Sequence, residues 1–236
     1  MTVVNPMPRF SATELEEAFR AFAPLTQVRA RRSTLQPYPA ERVAKAFERL
    51  AEPLARARLQ GQLINPWKIA GLKRDELRTA EALAGLWMIE FGGEASRRFL
   101  GDCLSACIET VDWNSELASG YRVAREVSPL GARSDRVDLT IETAGHVIGI
   151  EVKINAQLGE RQLERYVQAI ATRAEWRNAT GHVVFLSPFA SGRADVAQLF
   201  WSTVCDVAEA AVAPKASARS VVEQLIVSFG QYVKGF

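Results

Sequence analysis

Between Arg136 and Lys153 the chain runs Arg-Val-Asp-Leu-Thr-Ile-Glu-Thr-Ala-Gly-His-Val-Ile-Gly-Ile-Glu-Val-Lys, and this alternation restricts the fold more than any other stretch. Val137, Leu139 and Ile141 recur at every second position, as do Ile148, Ile150 and Val152, which is the period of a strand. A turn of even length around Ala144-Gly145 keeps both apolar triplets on one face, and that face must be buried. The opposite face then carries Arg136, Asp138 and Thr140 on the first strand and Gly149, Glu151 and Lys153 on the second. A two-residue turn sets Asp138 directly opposite Glu151, with Cβ atoms roughly 4.5–5.5 Å apart. A four-residue turn shifts the pair diagonally and keeps the face.

Directly opposed like charges destabilise a sheet, and a divalent cation between the two carboxylates makes the pair tolerable. Lys153, two residues beyond Glu151, brings an ammonium to the same place. Two carboxylates and one ammonium suit metal-assisted hydrolysis of a phosphodiester: a cation neutralises phosphate and acidifies bound water, and the lysine orients that water or stabilises developing charge. A Glu-x-Lys on a strand is, by itself, an ordinary solvated ion pair. The second acid on the same face is what separates the two readings.

The flanking periodicity supplies a scaffold. Ser11-Ala-Thr-Glu14 has the form of a capping box, followed by Leu15, Ala18, Phe19 and Phe22 at helical spacing. A second helix is expected over about 40–60, and Gly61 to Gly71 reads as a boundary. A helix from about 73 to 89 has Leu77, Leu83, Leu86 and Trp87 on its apolar side and ends at Gly92-Gly93, with another over about 94–111. Strands follow at 121–127, 136–143 and 146–153, then a helix over about 159–177, a buried strand at 182–187, and helices at about 192–212 and 217–233. Three strands form an antiparallel meander, and the fourth arrives through a helical crossover that favours parallel pairing.

This pattern resembles the PD-(D/E)XK nuclease superfamily. Asp138 and Glu151-Val-Lys153 across a hairpin carry the resemblance, with Val137 where the family usually has proline. Gln162 and Tyr166, four apart and so on one helical face, match the branch in which Glu-x-Lys is followed by Gln-x-x-x-Tyr. Lys73-Arg-Asp-Glu76-Leu-Arg78, with Phe99-Leu100 further on, resembles that branch's opening helix, while Met88-Ile-Glu-Phe-Gly-Gly93 departs from it. The resemblance implies an α/β restriction-endonuclease-like core, a mixed four-stranded sheet in the order αβββαβ flanked by helices, over residues 73–236; residues 1–72 lie outside it and read from their periodicity as a helical extension. It implies a nuclease using Mg²⁺ or Mn²⁺, with Asp138, Glu151 and the Val152 carbonyl as ligands. Lys153 is then the water-positioning base or charge stabiliser. Glu76 orders the metal site, Gln162 supports it or approaches phosphate, and Tyr166 and Arg136 contribute support or contact nucleic acid. DNA is the expected substrate, in defence against foreign DNA or in repair, and a homodimer is compatible. The competing reading is a non-catalytic nucleic-acid-binding or regulatory module on the same fold.

Composition narrows the alternatives. Three cysteines and two histidines, His146 and His182, give neither a disulfide framework nor a zinc spacing. No apolar run reaches the roughly 18 to 20 residues that span a bilayer. The prolines near Met1 interrupt what a signal peptide needs, so a cytoplasmic protein is expected. The net charge of +2 announces no polyanionic partner by itself, although 23 of the 29 basic residues are arginines, whose planar forks suit phosphate.

Overall fold

The computed structural model describes residues 39–59, 61, 63–127, 136–155 and 161–236; the expected Ser11–Glu14 helix start lies outside them. The chain divides into two compact units, Met1–Leu54 and Ala55–Phe236. Helix α1 (Ala40–Leu59) is followed by α2 (Pro66–Ile69), α3 (Glu76–Trp87), α4 (Ile89–Ser105) and α5 (Trp113–Ala118). Strands β1 (Arg122–Val127), β2 (Val137–Glu142) and β3 (His146–Val152) come next, then α6 (Gln162–Trp176) and β4 (Thr180–Ser187). Strand β5 (Ala197–Phe200), α7 (Trp201–Ala210) and α8 (Val221–Val233) complete the order. Among the described residues no helix is long and apolar enough to cross a membrane.

The sheet has the order β1-β2-β3-β4-β5. The meander β1-β2-β3 is antiparallel, and β4 joins β3 in parallel after the α6 crossover, as its length requires. The fifth strand is a difference from the expected four. Ala197-Gln-Leu-Phe lies inside a stretch whose periodicity reads as helix, yet it pairs in parallel with Val184–Ser187. Gln198 fixes this short edge by donating to the Phe185 carbonyl at 3.0 Å.

The hairpin turn is the two-residue one. Thr143 N–H donates to the His146 carbonyl at 2.9 Å across Ala144-Gly145, and the ladder runs to Leu139 opposite Ile150. Two more steps would pair Val137 with Val152. Instead the Val152 N–H donates to the Asp138 carboxylate at 2.8 Å. The strands therefore part at the acid, and Val137 leaves the face expected for it. It packs with Val147, Leu163, Tyr166 and Ile170, while Leu139 and Ile141 stay in the main core.

Helices cover both faces of the sheet. Leu139, Ile141, Ile148, Ile150, Val152, Val184 and Leu186 share one cluster with Leu83, Trp87, Phe99, Trp201 and Phe229. On the other side α6 lays Leu163, Tyr166 and Ile170 over Val147, Val183 and Phe185. The face carrying Gly149 and Glu151, polar by pattern, is thus roofed rather than solvated. Gly149 permits that approach, because a Cβ there would meet Ile170 side-chain carbons at 2.7 Å. Gly149→Ala should cost about 1–3 kcal/mol, the scale of overpacking a filled core. Thermal melting checks this, and an unchanged midpoint would show that α6 can move aside.

Several helical boundaries differ from expectation. Met88 separates α3 from α4, and Gly93, at φ 55°, kinks the latter. Leu77 lies on the apolar stripe by spacing but is 47% exposed, since the stripe is covered only from Thr79 and Ala80 onward. Helix α5 was not anticipated; Asp112 caps it, and Trp113 buries its ring while donating to the Ile108 carbonyl at 3.0 Å.

Candidate active site

Glu151 stands one residue before the end of β3, on the face that α6 covers, and is 1% exposed. Its Oε1 accepts from Lys153 Nζ at 2.8 Å and from Gln162 Nε2 at 2.7 Å. Its Oε2 is buried with no hydrogen-bond partner. Gln162 opens α6 and also donates to the Tyr166 hydroxyl at 2.8 Å, as their four-residue spacing on one helical face allows. Asp138 spends one oxygen on the Val152 N–H.

The third acid comes from far away in sequence. Asp75 caps α3 by accepting from the Arg78 N–H at 3.0 Å. Glu76 therefore occupies the first helical turn, where negative charge is favoured. Its Oε1 accepts the N–H groups of Ile154 at 2.9 Å and Asn155 at 3.3 Å, and its Oε2 lies 3.5 Å from Lys153 Nζ. Glu76, Asp138, Glu151, Lys153, Gln162 and Tyr166 thus converge. Val152 places its side chain in the core and its N–H on Asp138. Arg136 lies exposed just before β2, its charge favouring ionised Asp138.

Burial raises the Glu151 carboxyl, and the neighbouring charge of Asp138 adds to it, so the group is pushed up to about 7 despite Lys153 and Tyr166. Asp138 is raised as well, by burial first and with Glu76 reinforcing it, against the Val152 N–H and Lys153. Lys153 behaves differently. Burial works against its charge, but Glu151, Glu76 and Asp138 outweigh burial and hold the ammonium above its ordinary range.

A buried carboxyl oxygen without a partner costs at least about 1–3 kcal/mol, and more when the group is ionised. Sites that retain such costs and shift carboxyl groups this far are candidates for chemistry. Among the described residues no group of three or more His, Cys, Asp or Glu side chains is placed to hold a metal ion. The fit therefore rests on Asp138 and Glu151. The orphaned Oε2, on a carboxyl that feels the charge of Asp138, suits a hard cation, which takes oxygen ligands. Glu76 is turned instead to backbone N–H groups and the lysine.

A family model of the PD-(D/E)XK nuclease superfamily matches residues 65–197, more than half of the chain. The chain belongs to the PD-(D/E)XK nuclease superfamily. No curated protein and no solved structure matches it. All six converging residues lie within the stretch matched to the superfamily. Outside it lies Trp201, whose Nε1 donates to the Lys153 carbonyl at 2.8 Å. Sequence reading missed this contact, because a tryptophan 48 positions downstream of a lysine leaves no periodic signal.

The raised Glu151 carboxyl gives this superfamily member a pH signature. Between its ordinary range near 4.5 and about 7, the folded protein holds a proton that the unfolded chain releases. That stabilisation is complete below the ordinary range and is lost as pH rises through about 7. His182, whose imidazole burial pushes down, works in the opposite sense below its ordinary 6.5. The difference between wild type and Glu151→Gln isolates the carboxyl. Denaturant melts in chelator should show Glu151→Gln gaining on wild type from pH 5 to pH 8, and a constant difference would mean that Glu151 titrates normally.

Proposed function

We propose that the chain hydrolyses phosphodiester bonds in DNA with Mg²⁺ or Mn²⁺ as cofactor. The observation that carries this reading is the buried, unpartnered Oε2 of Glu151, on a carboxyl that feels the charge of Asp138, with an ammonium 2.8 Å from the same carboxylate. Asp138 and Glu151 would hold the cation, with the Val152 carbonyl as the third ligand implied by the family. When bound, such a cation supplies charge neutralisation at the phosphate and a more acidic water.

The chain's own residues do the rest. Glu151, Glu76 and Asp138 favour the ammonium form of Lys153, and an ammonium there would stabilise negative charge on the phosphate oxygens as the bond breaks or position the attacking water. Gln162 holds Glu151 by its bonded oxygen and so leaves Oε2 for the cation. Tyr166 fixes Gln162. Glu76 anchors the backbone just past Lys153 and flanks the ammonium.

The test is incubation of the purified chain with single- and double-stranded DNA and with RNA, each with Mg²⁺, with Mn²⁺ or with chelator. Cleavage of DNA that needs the cation and disappears in Glu151→Gln is expected. Every nucleic acid left intact, with no cation bound, would overturn the proposal, and salt-dependent DNA binding in that case would favour the non-catalytic module.

A further inference from the structure

The turn that delivers Glu76 is held from the far end of the chain. Lys73, at φ 53°, adopts the left-handed conformation that a lysine seldom takes, and its carbonyl accepts the Tyr232 hydroxyl. Arg74 then spreads its fork between two segments. Its Nη1 donates to Asn155 Oδ1 at 2.9 Å, and its Nη2 donates to the Gly235 carbonyl. Its guanidinium carbon stands 5.6 Å from the centroid of the Phe236 ring, inside the roughly 6 Å reach of a cation–π contact.

Phe236 meets Trp201 edge to face at 5.3 Å and Tyr232 likewise at 5.2 Å. Trp201 in turn binds the Lys153 carbonyl, and the Asn155 N–H binds Glu76. One continuous set of contacts thus runs from Tyr232 and Phe236 to Glu76 and to the backbone of Lys153. Trp201, Tyr232 and Phe236 all lie beyond the stretch matched to the superfamily.

We propose that Arg74, clamped between Phe236 and Asn155, is a positioning residue that, with Trp201, fixes Glu76 against Lys153 and so holds the ammonium on Glu151. Its effect on rate rests on the nuclease reading above; its effect on Lys153 does not. Arginine suits the task because one rigid fork reaches two partners while its central carbon stands over a ring, which a lysine cannot reproduce.

The test compares wild type with Arg74→Ala, Arg74→Lys, Phe236→Leu and Phe236→Tyr. One readout is steady-state cleavage. The other is acetylation of Lys153 by acetic anhydride, read by mass spectrometry against exposed Lys215. Arg74→Ala, Arg74→Lys and Phe236→Leu should each lower kcat by roughly 10- to 100-fold, the scale of an ångström of misplacement, with KM unchanged. In the same variants Lys153 should be acetylated faster relative to Lys215, and Phe236→Tyr should keep wild-type values on both readouts.

If Arg74 met substrate phosphate directly, Arg74→Ala would raise KM, Arg74→Lys would restore activity, and Phe236→Leu would be silent. That result overturns the proposal. Unchanged acetylation of Lys153 in both Arg74→Ala and Phe236→Leu also overturns it. A wild type that cleaves nothing removes the nuclease reading, and the acetylation comparison still decides the positioning role.

Discussion

Asp138→Asn should abolish cleavage and raise the melting temperature of the protein in chelator. The half-buried Asp138 carboxylate acts on Glu151 through its charge, and burial together with Glu76 already disfavours its ionised form. An asparagine keeps a carbonyl oxygen for the Val152 N–H, so the parting of β2 from β3 survives. What disappears is repulsion between neighbouring carboxylates, on the roughly 0.2–1 kcal/mol scale of a charge pair on a sheet. In a chain of this size about 1 kcal/mol moves the midpoint by about 2–4 °C. Differential scanning calorimetry of mutant and wild type in chelator makes the comparison. A fall of several degrees would identify Asp138 as a structural ion-pair partner, with Arg136 the first candidate.

The second large effect belongs to Lys153. It is one of only six lysines in a chain that carries most of its positive charge on arginine. Its ammonium fits within 2.8 Å of Glu151 and 3.5 Å of Glu76, and its side chain is 14% exposed. Were it a plain surface counter-ion, Lys153→Arg would be silent, because exposed pairs contribute roughly 0–1 kcal/mol. As the group that meets developing charge, its replacement by a longer planar fork should cost roughly 10²-fold or more in rate, the scale of losing one preorganised donor. Cation affinity should change little, since both carboxylates remain. Single-turnover cleavage at saturating Mg²⁺, beside a cation titration, separates the cases. Full activity rejects the role of Lys153, and joint loss of binding and rate indicates a collapsed site.

The hairpin was legible because a period of two fixes faces without reference to anything distant. The expectation that Asp138 and Glu151 share a face follows from the order of eighteen residues, whereas the two-residue turn, open in the sequence against a four-residue one, needed the fold. What lay across that face was not legible. An alternating strand reads as half-solvated, and only Gly149 hinted that Ile170 of α6 would press against it. That roof is the reason Glu151 is buried and its carboxyl raised. Strand β5 escaped because four residues at a sheet edge carry too little pattern to outweigh a helical period around them. Leu77 misled for the opposite reason, since spacing marks a face whether or not a neighbour reaches it. The family pattern pointed to Glu76, whereas its hold on the backbone at Ile154 needed the fold. Arg74, Asn155, Trp201 and Phe236 act through backbone carbonyls, amides and ring edges, and such contacts leave no motif.

The central claim is that Asp138 and the free oxygen of Glu151 form a cation site. Crystals of the purified protein grown with Mn²⁺ test it directly through anomalous scattering. The expected result is one strong anomalous peak bound by an Asp138 carboxylate oxygen and Glu151 Oε2, with Lys153 still on Glu151 Oε1 and no peak there in Glu151→Gln. No peak between the two carboxylates at a Mn²⁺ concentration that supports cleavage, or a peak only elsewhere, such as at the His146–His182 pair, would contradict it.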